Sequence, residues 1–135
     1  MSDEFEFGED VINIKATSKT PYIHLDRKNG YIEVSGISIP ENTKDFYWGF
    51  NRWMTEYAAN PAEKTKVKIA LVYMNSSSTV VLTRTLVLLN DLIGLKTIVE
   101  IDWYYEKDDL EMEEIGQYYK EILKCQINLF EVDKL

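Results

Sequence analysis

Hydrophobic and polar positions repeat along this chain with two different periods. Tyr22-Ile23-His24-Leu25 and Tyr31-Ile32-Glu33-Val34-Ser35 alternate with a period of two, which marks a half-buried strand. Between them, Asp26-Arg27-Lys28-Asn29-Gly30 holds the Asn-Gly pair that supplies positive φ in a hairpin turn. Residues 66–73 alternate again, with Val67, Ile69 and Leu71 on one side and Lys66 and Lys68 on the other. Residues 97–105 set Val99, Ile101 and Trp103 against Glu100 and Asp102. Shorter stretches at 11–16 and 127–132 predict a first and a last strand, and residues 37–42 read as a loop.

Elsewhere the apolar positions recur every three or four residues, the helical spacing. Phe46, Phe50, Trp53 and Tyr57 predict a helix with Asn42 as its N-cap and an end near Asn60-Pro61. Leu82, Leu86, Leu89 and Ile93 predict a second, opening in Asn75-Ser76-Ser77-Ser78, capped by one of the serines and stopped by Gly94. A third begins at Asp108 or Asp109, with Asp108 and Glu111 at capping-box spacing, and buries Ile115, Tyr118 or Tyr119, and Ile122. The order β-β-β-α-β-α-β-α is an α/β domain with a mixed sheet. Its strands alternate, whereas strands buried on both faces are apolar throughout, so the helices cover mainly one face. On the other face Lys66 and Lys68 pair across strands with Glu33, Glu100 or Asp102.

Composition narrows the function. The 135 residues fit one domain, with 45% hydrophobic residues and 13% aromatics arguing for a packed core. The net charge of −8 argues against a nucleic-acid binder and against an anionic membrane surface, both of which need a basic face. Its acids are concentrated in two places. Residues 1–10 carry five acids and no base and read as a disordered tail, and residues 106–114 carry six acids and one base. Residues 11–135 form the domain itself. The N-terminus has neither the basic start nor the apolar run of a signal peptide, so a cytoplasmic protein is expected.

Little in the chain supports catalysis. His24, the single histidine, lies on the polar side of a strand and lacks the neighbours of a nucleophilic triad. Cys125, the single cysteine, falls late in the third helix and reads as a half-buried thiol. No glycine-rich phosphate loop is present, and no metal or other cofactor is expected: the acidic run lacks the central glycine and ligand spacing of a calcium loop. Trp48, Trp103 and Tyr104 leave open a small-molecule or nucleotide-binding module. The serine turn is more telling, since a phosphate there would meet free N–H groups and the positive end of a helix dipole.

Three blocks resemble the SiaC family of bacterial regulatory phosphoproteins. They are Thr20-Pro21-x-Ile23-x-x-Asp26-x-x-x-Gly30 continuing through Gly36-x-Ser38-x-Pro40-Glu41-Asn42; Tyr73-Met74-Asn75-Ser76-Ser77-Ser78; and Trp103-Tyr104-Tyr105-x-x-Asp108-Asp109-x-x-Met112-x-Glu114-x-Gly116. The resemblance implies a single STAS-like domain of the anti-anti-sigma-factor type with no enzymatic activity. It implies a partner switch: a protein kinase phosphorylates the serine turn, a PP2C-type phosphatase reverses this, and the unphosphorylated form binds an output protein such as a diguanylate cyclase. By position the acceptor is Ser76, with Ser77 and Ser78 as alternatives. Asn75, Ser77, Pro40, Glu41, Asn42, Asp108 and Asp109 are expected to form the partner surface around it.

Overall fold

In the computed structural model, which describes residues 10–93 and 95–135, each alternating stretch forms a strand and each three-to-four-residue repeat falls mainly in helix. The acidic tail falls almost entirely on residues 1–9, outside the described residues. The elements are β1 (Val11–Ile14), β2 (Tyr22–Asp26), β3 (Tyr31–Ser38), α1 (Thr43–Phe46), α2 (Trp48–Ala59), β4 (Lys64–Met74), α3 (Ser76–Asn90), β5 (Ile98–Glu106), α4 (Leu110–Ile122) and β6 (Gln126–Val132). Gly30 closes the β2–β3 turn at φ 65, a conformation costly for any residue with a Cβ.

The six strands form one sheet in chain order. The first two pairings are antiparallel, and β3 to β6 run parallel. Each parallel step is a strand–helix–strand crossover to the next strand in the same direction. Such crossovers are right-handed, so repeating the step places every helix on the same face of the sheet. This is the one-sided cover that the alternation predicts.

On the covered face, Ile23, Leu25, Ile32, Val67, Ile69, Ile101 and Trp103 share one core with Phe50, Trp53 and Tyr57 of α2. Leu82, Leu86 and Leu89 of α3 and Met112 and Tyr119 of α4 complete it. Each large side chain buried there contributes about 1.5–3 kcal/mol. Trp103 seats α4 on the sheet: its indole N–H donates to the Met112 carbonyl at 2.9 Å. A Cβ at Gly116 would lie 2.6 Å from Trp103 Cδ1, so only glycine permits that approach.

The uncovered face is polar and registered across strands. His24 opposes Glu33, Glu33 opposes Lys68, Lys68 opposes Asp102, and Asp102 opposes Asn128. Lys66 Nζ bridges Glu100 Oε1 at 2.9 Å and Asp102 Oδ2 at 3.0 Å. The bond from Lys66 holds the Glu100 carboxyl below its usual range, and the same bond raises the Lys66 ammonium.

Several features differ from the sequence reading. The first expected helix is two, α1 and α2, broken at Tyr47, which caps the end of one and the start of the other. β3 continues to Ser38 where a loop was expected, because its last residues still pair with β4 beyond the register shift at Gly36/Ile37. α3 stops at Asn90 rather than Ile93, where the Asn90 side chain accepts the Lys124 N–H at 2.7 Å; Gly94 lies outside the described residues. Ile122 is 45% exposed, because Leu123 turns extended after α4 and takes the buried position below Tyr119. Cys125 lies beyond α4, in the connection to β6.

Candidate functional site

Strands β3, β4 and β5 are parallel, so their last residues Ser38, Met74 and Glu106 meet one edge of the sheet. At that edge β4 passes directly into α3 through the serine turn. The Asn75 N–H donates to the Ser38 carbonyl at 3.0 Å, holding Asn75 extended at φ −80, ψ 172. An N-cap needs that conformation, and Asn75 is the cap: its Oδ1 accepts the Ser78 N–H at 3.0 Å. The cap is therefore not a serine, as the sequence suggested, and all three serines belong to the first turn of a 15-residue helix.

The three hydroxyls have three surroundings. Ser76 is exposed, and its hydroxyl makes no hydrogen bond among the described residues. As the first helical residue, it also has an N–H with no acceptor inside the helix. Ser77 is exposed, donates to Asn75 Oδ1 at 3.2 Å and lies 2.6 Å from Thr43 Oγ1. Ser78 is 3% exposed and locked in the core. Its Oγ receives a bond from Ser38 Oγ at 2.7 Å and donates to the Ser38 carbonyl at 3.1 Å. Ser38 Oγ is in turn 2.6 Å from the Tyr47 hydroxyl. Burial raises the Tyr47 phenol above its usual range, so it remains a neutral partner.

The β3–α1 loop lies against this turn through the Ser38 and Thr43 contacts. Within it Pro40 is buried, and Glu41 is exposed and pairs with Lys19 at 3.2 Å. Asn42 caps α1, as the sequence predicts, by accepting the Asp45 N–H at 3.1 Å. Asp108 and Asp109 stand at the same edge, after β5, but no hydrogen bond or ion pair joins them to the serine turn among the described residues. Asp109 caps α4 by accepting the Met112 N–H at 3.2 Å, and Asp108 precedes it at φ 71, so the Asp108–Glu111 capping box is replaced by an Asp109 cap. Sequence reasoning missed Thr43, Ser38 and Tyr47 as neighbours of the turn. Ser38 stands in the first of the three blocks, but its partner Ser78 is forty positions away. Tyr73, 51% exposed and just before the turn, stands in the second block but was not assigned to the partner surface.

The other candidates are scattered. His24 Nδ1 is within hydrogen-bonding distance of Asn13 Oδ1 on the uncovered face, and its ring lies between those of Tyr22 and Tyr31. Trp103 is 1% exposed in the core. Trp48 is 38% exposed beneath the Arg52 guanidinium, and Tyr104 stacks on Phe130 across the uncovered face. The three aromatics do not share one site. No helix among the described residues is long and apolar enough to cross a membrane.

Known proteins match this arrangement. The structure resembles the crystal structure of the diguanylate cyclase SiaD in complex with its activator SiaC from Pseudomonas aeruginosa, with a TM-score of 0.81 at 23% identity, over 90% of this chain and 99% of the matched chain. Apo-SiaC from the same organism matches with a TM-score of 0.77 at 22% identity, over 90% of this chain and 99% of that one. An uncharacterised protein of Pseudomonas aeruginosa (strain UCBPP-PA14) is 24% identical over 110 residues, 82% of this chain and 87% of the relative. The family model for SiaC family regulatory phosphoproteins matches residues 14–132. With the match running from β1 to the last residue of β6, this chain belongs to the SiaC family.

Proposed function

We propose that this protein is a non-catalytic partner switch in bacterial signalling, set by phosphorylation of Ser76. The observation that carries the reading is the Ser76 hydroxyl: exposed, unbonded, and first in a long helix whose cap is supplied by another residue. A phosphate there adds about −1.5 to −2 charge and meets the free N–H groups of the first turn, where the helix dipole favours an anion. Ser77 is the second choice, since its hydroxyl is shared with Thr43 and Asn75. The burial of Ser78 weighs against it, because a kinase would have to open the core to reach it.

A protein kinase adds the phosphate, a PP2C-type phosphatase removes it, and the unphosphorylated protein binds an output protein. A diguanylate cyclase is the output that fits the resemblance to SiaC, described as an activator of SiaD. The partner surface comprises Ser76 with Asn75, Ser77 and Pro40-Glu41-Asn42, extended along the edge to Asp108 and Asp109. Its fixed charges are acidic, so the partner presents basic or hydrogen-bonding groups, and binding weakens with salt. Incubation with the kinase encoded beside it should raise the intact mass by one phosphate, and Ser76→Ala should abolish the increase. Equal phosphorylation of the Ala variant would refute Ser76 as the acceptor.

A further inference from the structure

At the opposite edge of the sheet from Ser76, where β4, β5 and β6 begin, lies a half-open cavity of about 620 Å³. Its size is within the range of small-molecule sites, about 300–1,000 Å³. One wall is apolar: Ile98, 62% exposed although it opens a strand, lines it with the partly buried Ile93 and Cys125. Around it are Lys64, Lys66 and Lys124, with Glu100 as the acid in the lining. Lys66 is neutralised by Glu100 and Asp102. Lys64 and Lys124 are exposed and make no ion pair among the described residues. A protein of net charge −8 thus concentrates two uncompensated ammonium groups beside an apolar hollow.

We propose that this cavity binds a small carboxylate with an apolar body. The hydrocarbon part covers Ile98, Ile93 and Cys125, and the carboxylate reaches Lys64 and Lys124. A single charge suits the site better than a dianion, because Lys66 with Glu100 and Asp102 leaves one negative charge against the two positive charges of Lys64 and Lys124. The site is separate from the phosphorylated turn: β4 spans the distance between them, about 33 Å at about 3.3 Å per residue.

Cys125 provides the readout, being the single thiol and part of the cavity wall. Carbamidomethylation by iodoacetamide, followed by intact mass, measures its accessibility. Octanoate should slow the reaction at least fivefold in a saturable manner, and octanamide, equal in size but neutral, should slow it less than twofold. Lys64→Gln/Lys124→Gln should lose the protection by octanoate, while Lys68→Gln, a lysine outside the cavity, and Ser76→Ala should retain it. No slowing at saturating octanoate, equal slowing by octanamide, or protection that survives in the double variant would overturn the proposal. Loss of protection in Lys68→Gln would also overturn it, by showing attraction to the surface as a whole. None of these outcomes bears on the Ser76 assignment, which is read by phosphate incorporation.

Discussion

Ser76 and Ser78 stand two positions apart on one turn of helix. Two steps of an α-helix rotate a side chain by about 200°, so one hydroxyl faces solvent when the other faces the sheet. Ser78 points inward to Ser38 and Tyr47, a chain of hydroxyls that joins the end of β3 to the helices. Ser76 points outward with nothing bound. The difference shows how one turn divides its residues: a buried inner hydroxyl anchors the turn to the sheet, and an outer hydroxyl takes no part in holding the fold.

Substitutions should separate the two roles. The largest effect is expected for Ser78→Asp, which places a carboxylate among buried hydroxyls. A loss of about 3 kcal/mol or more in urea unfolding is expected, because an unpaired buried charge is among the costliest changes. A loss under about 1 kcal/mol would mean that Ser78 is not the anchor. Asn75→Ala should cost about 1 kcal/mol by removing the cap, measured in the same way. A negligible loss would show that one of the serines takes over the cap, so that the serines and not Asn75 fix the start of the helix. Ser76→Asp should have the smallest effect, between no change and a gain of about 0.3–1 kcal/mol from an acid at the helix start. A clear destabilisation would place Ser76 in a structural role and remove the contrast.

Much of this was legible in the sequence for local reasons. A strand shows every second residue to the core, so β2, β3, β4 and β5 could be read from alternation. Asn29-Gly30 identified the hairpin because Gly30 takes the positive φ that residues with a Cβ rarely adopt, although Asn29 does not share it. Asn42 was recognisable as a cap because the N–H it accepts, that of Asp45, is only three residues away. The cap of α3 was misassigned because four capping residues stand in a row, and the choice depends on where β4 stops pairing. Ile122 was misplaced because the chain leaves the helical period one residue later. In the candidate site, Ser76 was reached through the block it shares with the SiaC family, and Thr43 was missed because its contact with Ser77 crosses 34 positions.

By itself the sequence determined the order of the elements and the one-sided cover of the sheet, since both follow from periods of two and of three to four residues. It also determined that a cluster of hydroxyls would open a helix after β4. Only the tertiary structure decided which of those hydroxyls is buried, through the pairing of β3 with β4 that brings Ser38 to Ser78. The cavity at the far edge is likewise a product of assembly, because Lys64, Ile98 and Cys125 belong to separate elements and meet only when three parallel strands begin side by side. Local periodicity is written in neighbouring residues, but the surroundings of a side chain are set by residues that the chain returns to its side.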